Sequence, residues 1–184
     1  MTFEEFVSMT HDLLQPPRGS TLGVVEQVWF HFEGHIPQTT LQCIRYLRNH
    51  QSLNAGFAVD PCKPRLKVSV EVEKPGREGL QELAQEADVV FYSKSWAGAE
   101  GYDSAETCLS AQSRLILCNA GETKHGERTL ICPWGAKGAW AIILPDASVS
   151  HDLTKEASTP ESTECSVVHS PAYTSGTKRI IDTT

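Results

Sequence analysis

The stretch Thr129–Leu144, TLICPWGAKGAWAIIL, holds the residues whose type and spacing best suit ligand contact. Gly135 and Gly138 bound a turn, Trp134-Gly-Ala-Lys-Gly138, set between a β-prone run (Thr129–Cys132) and an apolar run (Ala139–Leu144). Residues without a Cβ reach positive φ and leave backbone N–H groups bare, an arrangement that accepts a phosphate or a flat ring. The pattern equally suits a plain hairpin with two permissive residues. Other chemistry-bearing groups are less well placed. His31, Glu33 and His35 alternate as strand-borne metal ligands would, but Gly34 and Pro37 end the strand among them, and no third ligand is fixed by spacing. His31-Phe32-Glu33 and Pro61-Cys62 match fragments of a zinc-deaminase signature, but its second cysteine would fall at Arg65, so that chemistry is rejected. Cys132 has no histidine placed to activate it and reads as a core thiol. Ser93 and Lys94 are neighbours, so on a strand they point to opposite faces and make a poor Ser–Lys pair. Glu71 and Glu73 share one strand face, which suits solvent or, in a site, a cation or sugar hydroxyls.

The elements that would position these residues follow from periodicity. Residues 2–14 read as a short acidic helix with Phe3, Phe6, Val7 and Leu13 or Leu14 inward, broken at Pro16-Pro17. Val24–Glu33 reads as a strand, with Val28, Phe30 and Phe32 on one face and Trp29, His31 and Glu33 on the other. Thr40–His50 is helical, with Leu41, Ile44 and Leu47 inward and Tyr46 beside them. Leu66–Glu73 alternates strictly. Arg77–Ala87 is a helix with Leu80, Leu83, Ala84 and Ala87 inward, and Asp88–Tyr92 a short buried strand. Strand, helix, strand, helix, strand with short connections argues for a parallel sheet covered by helices. Ser93-Lys94 then falls at a strand's carboxyl end, where such sheets place ligands.

Asp103 and Glu106 form an expected capping pair for a helix running to about Gln112. Arg114–Cys118 and Thr129–Cys132 compete for the next strand, and the second is favoured because it feeds the glycine turn. Residues 146–166 are dense in Ser, Thr and Glu and read as an exposed insertion loop. Val167-Val168 and Lys178–Ile181 read as short returning strands.

The totals exclude several classes. The chain has 184 residues, 40% hydrophobic and 21% charged, which suits one globular domain. Its net charge is −7 and it has no basic stretch, so there is no footprint for nucleic acid. No apolar run nears the roughly 20 residues that span a bilayer, so no membrane partner is expected. The acidic N-terminus lacks a signal peptide's basic start. Six cysteines without a C-x-x-C pair suit reduced thiols in a cytoplasmic protein, with no metal site; Cys118 and Cys132 lie in apolar runs and are expected to be buried.

In order, Val28–Gly34 (VWFHFEG), Val68–Pro75 (VSVEVEKP), Asp88–Lys94 (DVVFYSK), Thr129–Ala139 (TLICPWGAKGA) and Arg179–Thr183 (RIIDT) resemble consecutive blocks of the ribokinase-like (PfkB) carbohydrate kinases, on the ketohexokinase branch of that family. The resemblance runs from about residue 24 to 184, interrupted at Asn119–Arg128 and Asp146–Ser166. It implies a three-layer α/β/α Rossmann-like fold with an incomplete, mostly parallel sheet. It implies transfer of the ATP γ-phosphoryl group, with Mg2+, to a hydroxyl of a fructose-type ketohexose, so a sugar and a nucleotide are the expected partners. By position, Gly135, Ala136, Lys137 and Gly138 match the turn lining the adenine-nucleotide pocket. Asp182 and Thr183 match the start of the motif D-T-x-G-A-G-D, and Glu33 and Gly34 a strand end facing the sugar cleft. The rest of that motif, with its anion hole and catalytic aspartate, is expected beyond Thr184, and the family's first strands and lid before Met1. Residues 1–184 are therefore expected to be a single partial kinase domain, with no catalytic residue of its own and inert alone. A nucleotide- or partner-binding module that keeps the fold without the chemistry is the alternative. An uncovered sheet edge is expected to favour self-association or poor solubility.

Overall fold

The computed structural model describes residues 1–11, 14, 27–54, 65–119, 126–146 and 166–172. Its elements are α1 (Phe3–Thr10), β1 (Gln27–Phe32), α2 (Pro37–Asn54), β2 (Arg65–Val72), α3 (Leu80–Glu86), β3 (Val89–Tyr92), α4 (Lys94–Ala99), α5 (Ala105–Asn119), β4 (Arg128–Pro133), a 3-10 turn (Gly135–Lys137), β5 (Ala139–Leu144) and β6 (Ser166–Ser170). One sheet runs in the order β1-β2-β3-β4-β5-β6. The first four strands are parallel; β5 and β6 are added antiparallel.

Each parallel step moves the same way along the sheet, so right-handed crossovers place the connecting helices on one face. There α1, α2, α3 and α5 pack side by side in that order. Beneath them lie Leu66, Val68, Val70 and Val72 of β2, Val90 and Tyr92 of β3, Leu130 and Cys132 of β4, and Ile142 and Leu144 of β5, all buried. The expected α/β fold with a mostly parallel sheet is present. Among the described residues the second helix layer is not, and Trp29 on the other face is 56% exposed.

Several boundaries differ from the sequence reading for local reasons. Thr2 caps α1 through a reciprocal pair with Glu5, and the helix stops at Thr10 rather than 14, although Leu14 is buried. Helix α2 begins at Pro37 and runs to Asn54, longer than Thr40–His50 at both ends, since proline suits the first helical position. Helix α3 starts at Leu80, not Arg77, because Gly79 sits at φ +90°. Helix α4 has no counterpart in the sequence reading; the Ser93 hydroxyl opens it by accepting from the Trp96 N–H at 3.0 Å.

Helix α5 opens on Ser104 rather than on an Asp103–Glu106 pair. The Ser104 hydroxyl accepts from the Thr107 N–H at 3.2 Å, and the Thr107 hydroxyl accepts from the Ser104 N–H at 3.3 Å. It runs to Asn119, so Arg114–Cys118 is helix and Thr129–Cys132 is the strand, as favoured. The helical period turns Cys118 outward, against the expectation that it is buried, while Cys43, Cys108 and Cys132 are buried free thiols. Ser104→Ala is expected to cost about 1 kcal/mol in urea unfolding. Val167 and Val168 lie in β6 as expected. Of the expected loop, residues 147–165 lie outside the described residues, as do Lys178–Ile181.

A polar clasp joins helix layer to sheet. Asp88, buried between α3 and β3, accepts from the Val68 N–H at 2.7 Å and pairs with Arg48 at 2.9 Å. Arg128, 5% exposed at the start of β4, donates to the carbonyls of Ala84, Gln85 and Ala87 at 2.7, 2.7 and 2.9 Å. These carbonyls end α3, where the helix leaves its acceptors unpaired. Burial pulls the Arg128 guanidinium below its ordinary value, and the nearby Asp88 carboxylate raises it again.

Candidate functional site

The carboxyl ends of β1 to β4 share one edge of the sheet, with Glu33, Glu73, Ser93-Lys94 and Trp134 following them in turn. The glycine turn caps β4. The Trp134 N–H donates to the Gly138 carbonyl at 2.7 Å, Lys137 N–H to the Trp134 carbonyl at 3.2 Å, and Gly138 N–H to the Gly135 carbonyl at 3.0 Å. The turn thus closes on itself, leaving the N–H groups of Gly135 and Ala136, both exposed residues, outside these bonds. Gly135 takes φ +58°.

Gly138 is required for a different reason from the ligand approach that the sequence suggests. Its backbone lies at φ +97° and ψ −152°. A Cβ built there would stand 2.1 Å from the Ser170 carbonyl oxygen and 2.9 Å from the Ala172 nitrogen. The missing side chain makes room for the end of β6. His169 of β6 reinforces the seam, stacking on Trp140 at 4.1 Å and donating from Nε2 to the Lys137 carbonyl at 3.1 Å.

Positive charge beside the turn comes from Lys94 and Lys137, both exposed. Lys94 occupies the first helical residue after β3, and its Nζ lies 6.0 Å from the centroid of the Trp134 ring. Trp134 is itself buried, so its ring serves as a floor under the ammonium group rather than a free stacking surface. Glu106, in the first turn of α5, is held below the usual carboxylate range chiefly by its own backbone N–H. The Ser104 hydroxyl and the nearby His169 and Lys137 side chains add to this.

Glu33 and Gly34 end β1, three strand spacings, or about 14 Å, from the turn that follows β4. Glu33 is exposed and faces His35 Nδ1 at 3.5 Å, while His35 Nε2 faces Glu73 at 3.7 Å. Gly34 is buried. A Cβ there would stand 2.3 Å from the Glu71 carbonyl oxygen and 2.7 Å from Leu80, so its glycine is a packing requirement between β1, β2 and α3. Arg77 donates to its carbonyl at 3.0 Å. The edge therefore holds the two groups of predicted site residues in line without joining them. Asp182 and Thr183 lie outside the described residues.

The other constellations resolve structurally. His31 faces Glu71 at 3.4 Å and bonds the Ser69 hydroxyl at 2.8 Å, which also accepts from the Trp29 indole N–H at 2.8 Å. Among the described residues no group of three or more His, Cys, Asp or Glu side chains is placed to hold a metal. Ser93 binds the Glu73 carbonyl at 2.8 Å and caps α4, which separates it from Lys94 as a reacting pair. Cys132 and Cys108 of α5 are both buried, and their mutual interaction holds Cys132 below the usual thiol range and, with burial, Cys108 above it. Sequence reasoning did not find His169, because it meets Lys137 across 32 residues with no local pattern.

The geometry defines an α/β domain with a cationic, glycine-bearing turn at the carboxyl edge of a parallel sheet. The chain is related to the ribokinase-like (PfkB) carbohydrate kinases. It is 33% identical over 123 residues to ketohexokinase of Mus musculus; the match covers 67% of this chain and 36% of that protein. No family model matches. Two solved structures resemble it: fructokinase from Vibrio cholerae O395 in its fructose, ADP and calcium-bound form, and ribokinase from Giardia lamblia. The first has a TM-score of 0.40 and 18% identity, covering 64% of this chain and 36% of the other. The second has a TM-score of 0.49 and 13% identity, covering 89% and 39%. No helix among the described residues is long and apolar enough to cross a membrane.

Proposed function

We propose that this chain is the nucleotide-side portion of a cytoplasmic carbohydrate kinase that phosphorylates a fructose-type ketohexose with ATP and Mg2+. The observation that carries the reading is the 33% identity to ketohexokinase across 123 residues. The site's chemistry agrees with it. Lys94 offers a positive charge near the Trp134 ring, and Gly135 and Ala136, in the turn that Trp134 opens, offer two N–H donors; such groups suit the oxygens of a phosphate. Lys137 adds a second positive charge at the turn. Mg2+, carried in with the nucleotide, would supply further charge neutralisation at such a site. This chain's residues bind and orient; Lys94 holds the phosphate end while the turn fixes where the nucleotide lies. Phosphoryl transfer depends on such positioning and on charge stabilisation. We expect the 184-residue chain alone to bind nucleotide without turning over.

Titrating the chain with ADP while following tryptophan fluorescence tests this, because Trp134 lies beneath Lys94. Saturable quenching is expected, and Lys94→Ala is expected to weaken binding about tenfold, the loss of one charge-assisted contact. No saturable change up to about 1 mM ADP, the weak end of specific binding, overturns the nucleotide reading. Fructose phosphorylation by the purified chain would overturn the expectation that it is inert alone.

A further inference from the structure

We propose that β6 is a homotypic docking strand, which pairs antiparallel with β6 of a second copy of this chain about a two-fold axis at Val168. The proposal is independent of the kinase reading. β6 is the last strand of the sheet and pairs with β5 alone among the described residues. Its outer row of backbone N–H and C=O groups is therefore a template for another strand. Val167 and Val168 are 58% and 50% exposed. Edge strands are ordinarily protected by charge, proline or a bulge. Ser166-Val-Val-His-Ser170 has no acidic, lysine, arginine or proline residue, and Pro171 comes only after it.

The strand is also complementary to itself. A two-fold at Val168 sets Val168 opposite Val168, Val167 opposite His169, and Ser166 opposite Ser170. No formal charge meets its like, although each copy carries a net charge of −7. On the open face, Phe91, Ile131, Ala141 and Val168 form one apolar row across the paired strands. Pairing continues that row into the second copy, and each half-exposed Val168 covers the other. The strand is fixed before it docks: His169 is stacked on Trp140 and bonded to the Lys137 carbonyl, and the end of β6 fits against Gly138. A stiff edge loses little entropy on pairing. Identical patches related by a two-fold close the assembly at two copies.

One five-residue strand pair buries less than the roughly 1,200 Å2 of a standard interface, so dissociation is expected at about 10 µM. Sedimentation velocity of the full 184-residue chain from about 1 to about 100 µM, either side of that value, is the first experiment. A monomer–dimer transition is expected. Val168→Lys, which sets two ammonium groups opposite each other, is expected to leave a monomer across the range with an unchanged circular dichroism spectrum. Trp29→Ser, on the opposite edge strand, is expected to dimerise as before. Hydrogen exchange of unsubstituted protein provides the check that needs no variant: amides 167–170 are expected to gain protection as concentration rises. A monomer throughout, an association that persists in Val168→Lys, or exchange at 167–170 that ignores concentration overturns the proposal. Association abolished by Trp29→Ser alone would assign the contact to β1 and overturn it equally.

Discussion

Gly138→Ala is expected to destabilise the chain by about 3 kcal/mol or more, because strain and collision act together. The backbone at φ +97° and ψ −152° belongs to a region that only glycine occupies readily. The obstacle is rigid as well. An added methyl would meet the Ser170 carbonyl at 2.1 Å and the Ala172 nitrogen at 2.9 Å, backbone atoms that cannot rotate aside. Relief requires β6 to move away from the turn, which breaks the His169 bond to the Lys137 carbonyl. Gly135→Ala is the informative control. Its φ of +58° lies in the left-handed helical region, where alanine costs roughly 1–2 kcal/mol. Urea unfolding of both variants separates the two effects. Equal losses at the two positions would show that the β6 seam adds nothing. In ADP titrations Gly138→Ala is expected to lose binding as well, since the same displacement unfastens the turn beside Lys94.

Arg128→Leu is expected to cost about 3–5 kcal/mol, the range for leaving buried charged or polar partners uncompensated. The guanidinium reaches three carbonyls at the end of α3 while its own strand begins β4, so one side chain ties a helix end to the sheet. Leucine fills much of the space but donates nothing, and each carbonyl left unpaired costs about 1–3 kcal/mol. Lysine keeps the charge but lacks the planar fork, so Arg128→Lys is expected to recover only part of the loss. Asp88→Asn is expected to weaken the same clasp from the other side. It removes the charge facing Arg48 while keeping an acceptor for the Val68 N–H. Equilibrium unfolding of the three variants gives the order, and a loss for Arg128→Leu below about 1 kcal/mol, the scale of an ordinary surface change, would contradict the clasp.

Much of the fold was legible because the patterns are local. Strict alternation in Leu66–Glu73 fixed which residues of β2 face the helices, and three-residue spacing of Leu41, Ile44 and Leu47 fixed the inner face of α2. Alternating elements with short connections implied parallel strands, since such strands need a crossover between them. Glycine φ values blurred the ends: nothing in Arg77–Gly79 announced that Gly79 would start α3 at φ +90°. The run Arg114–Cys118 was ambiguous because a short apolar stretch has no decisive period, and only packing of α5 on β4 and β5, with Ile116 buried, made it helix.

For the site, the sequence by itself determined a glycine-bounded turn after an apolar strand, a lysine at another strand's carboxyl end, and an order of blocks shared with carbohydrate kinases. Those are matters of residue type and of position along the chain. Only the tertiary structure decided that Gly138 makes room for β6, that Gly34 makes room for β2 and Leu80, and that Lys94 lies over Trp134. Each of these contacts joins residues far apart in the chain, and the strand order sets which ends become neighbours. A missing Cβ shows only that space is needed; what occupies the space depends on the strand that packs beside it.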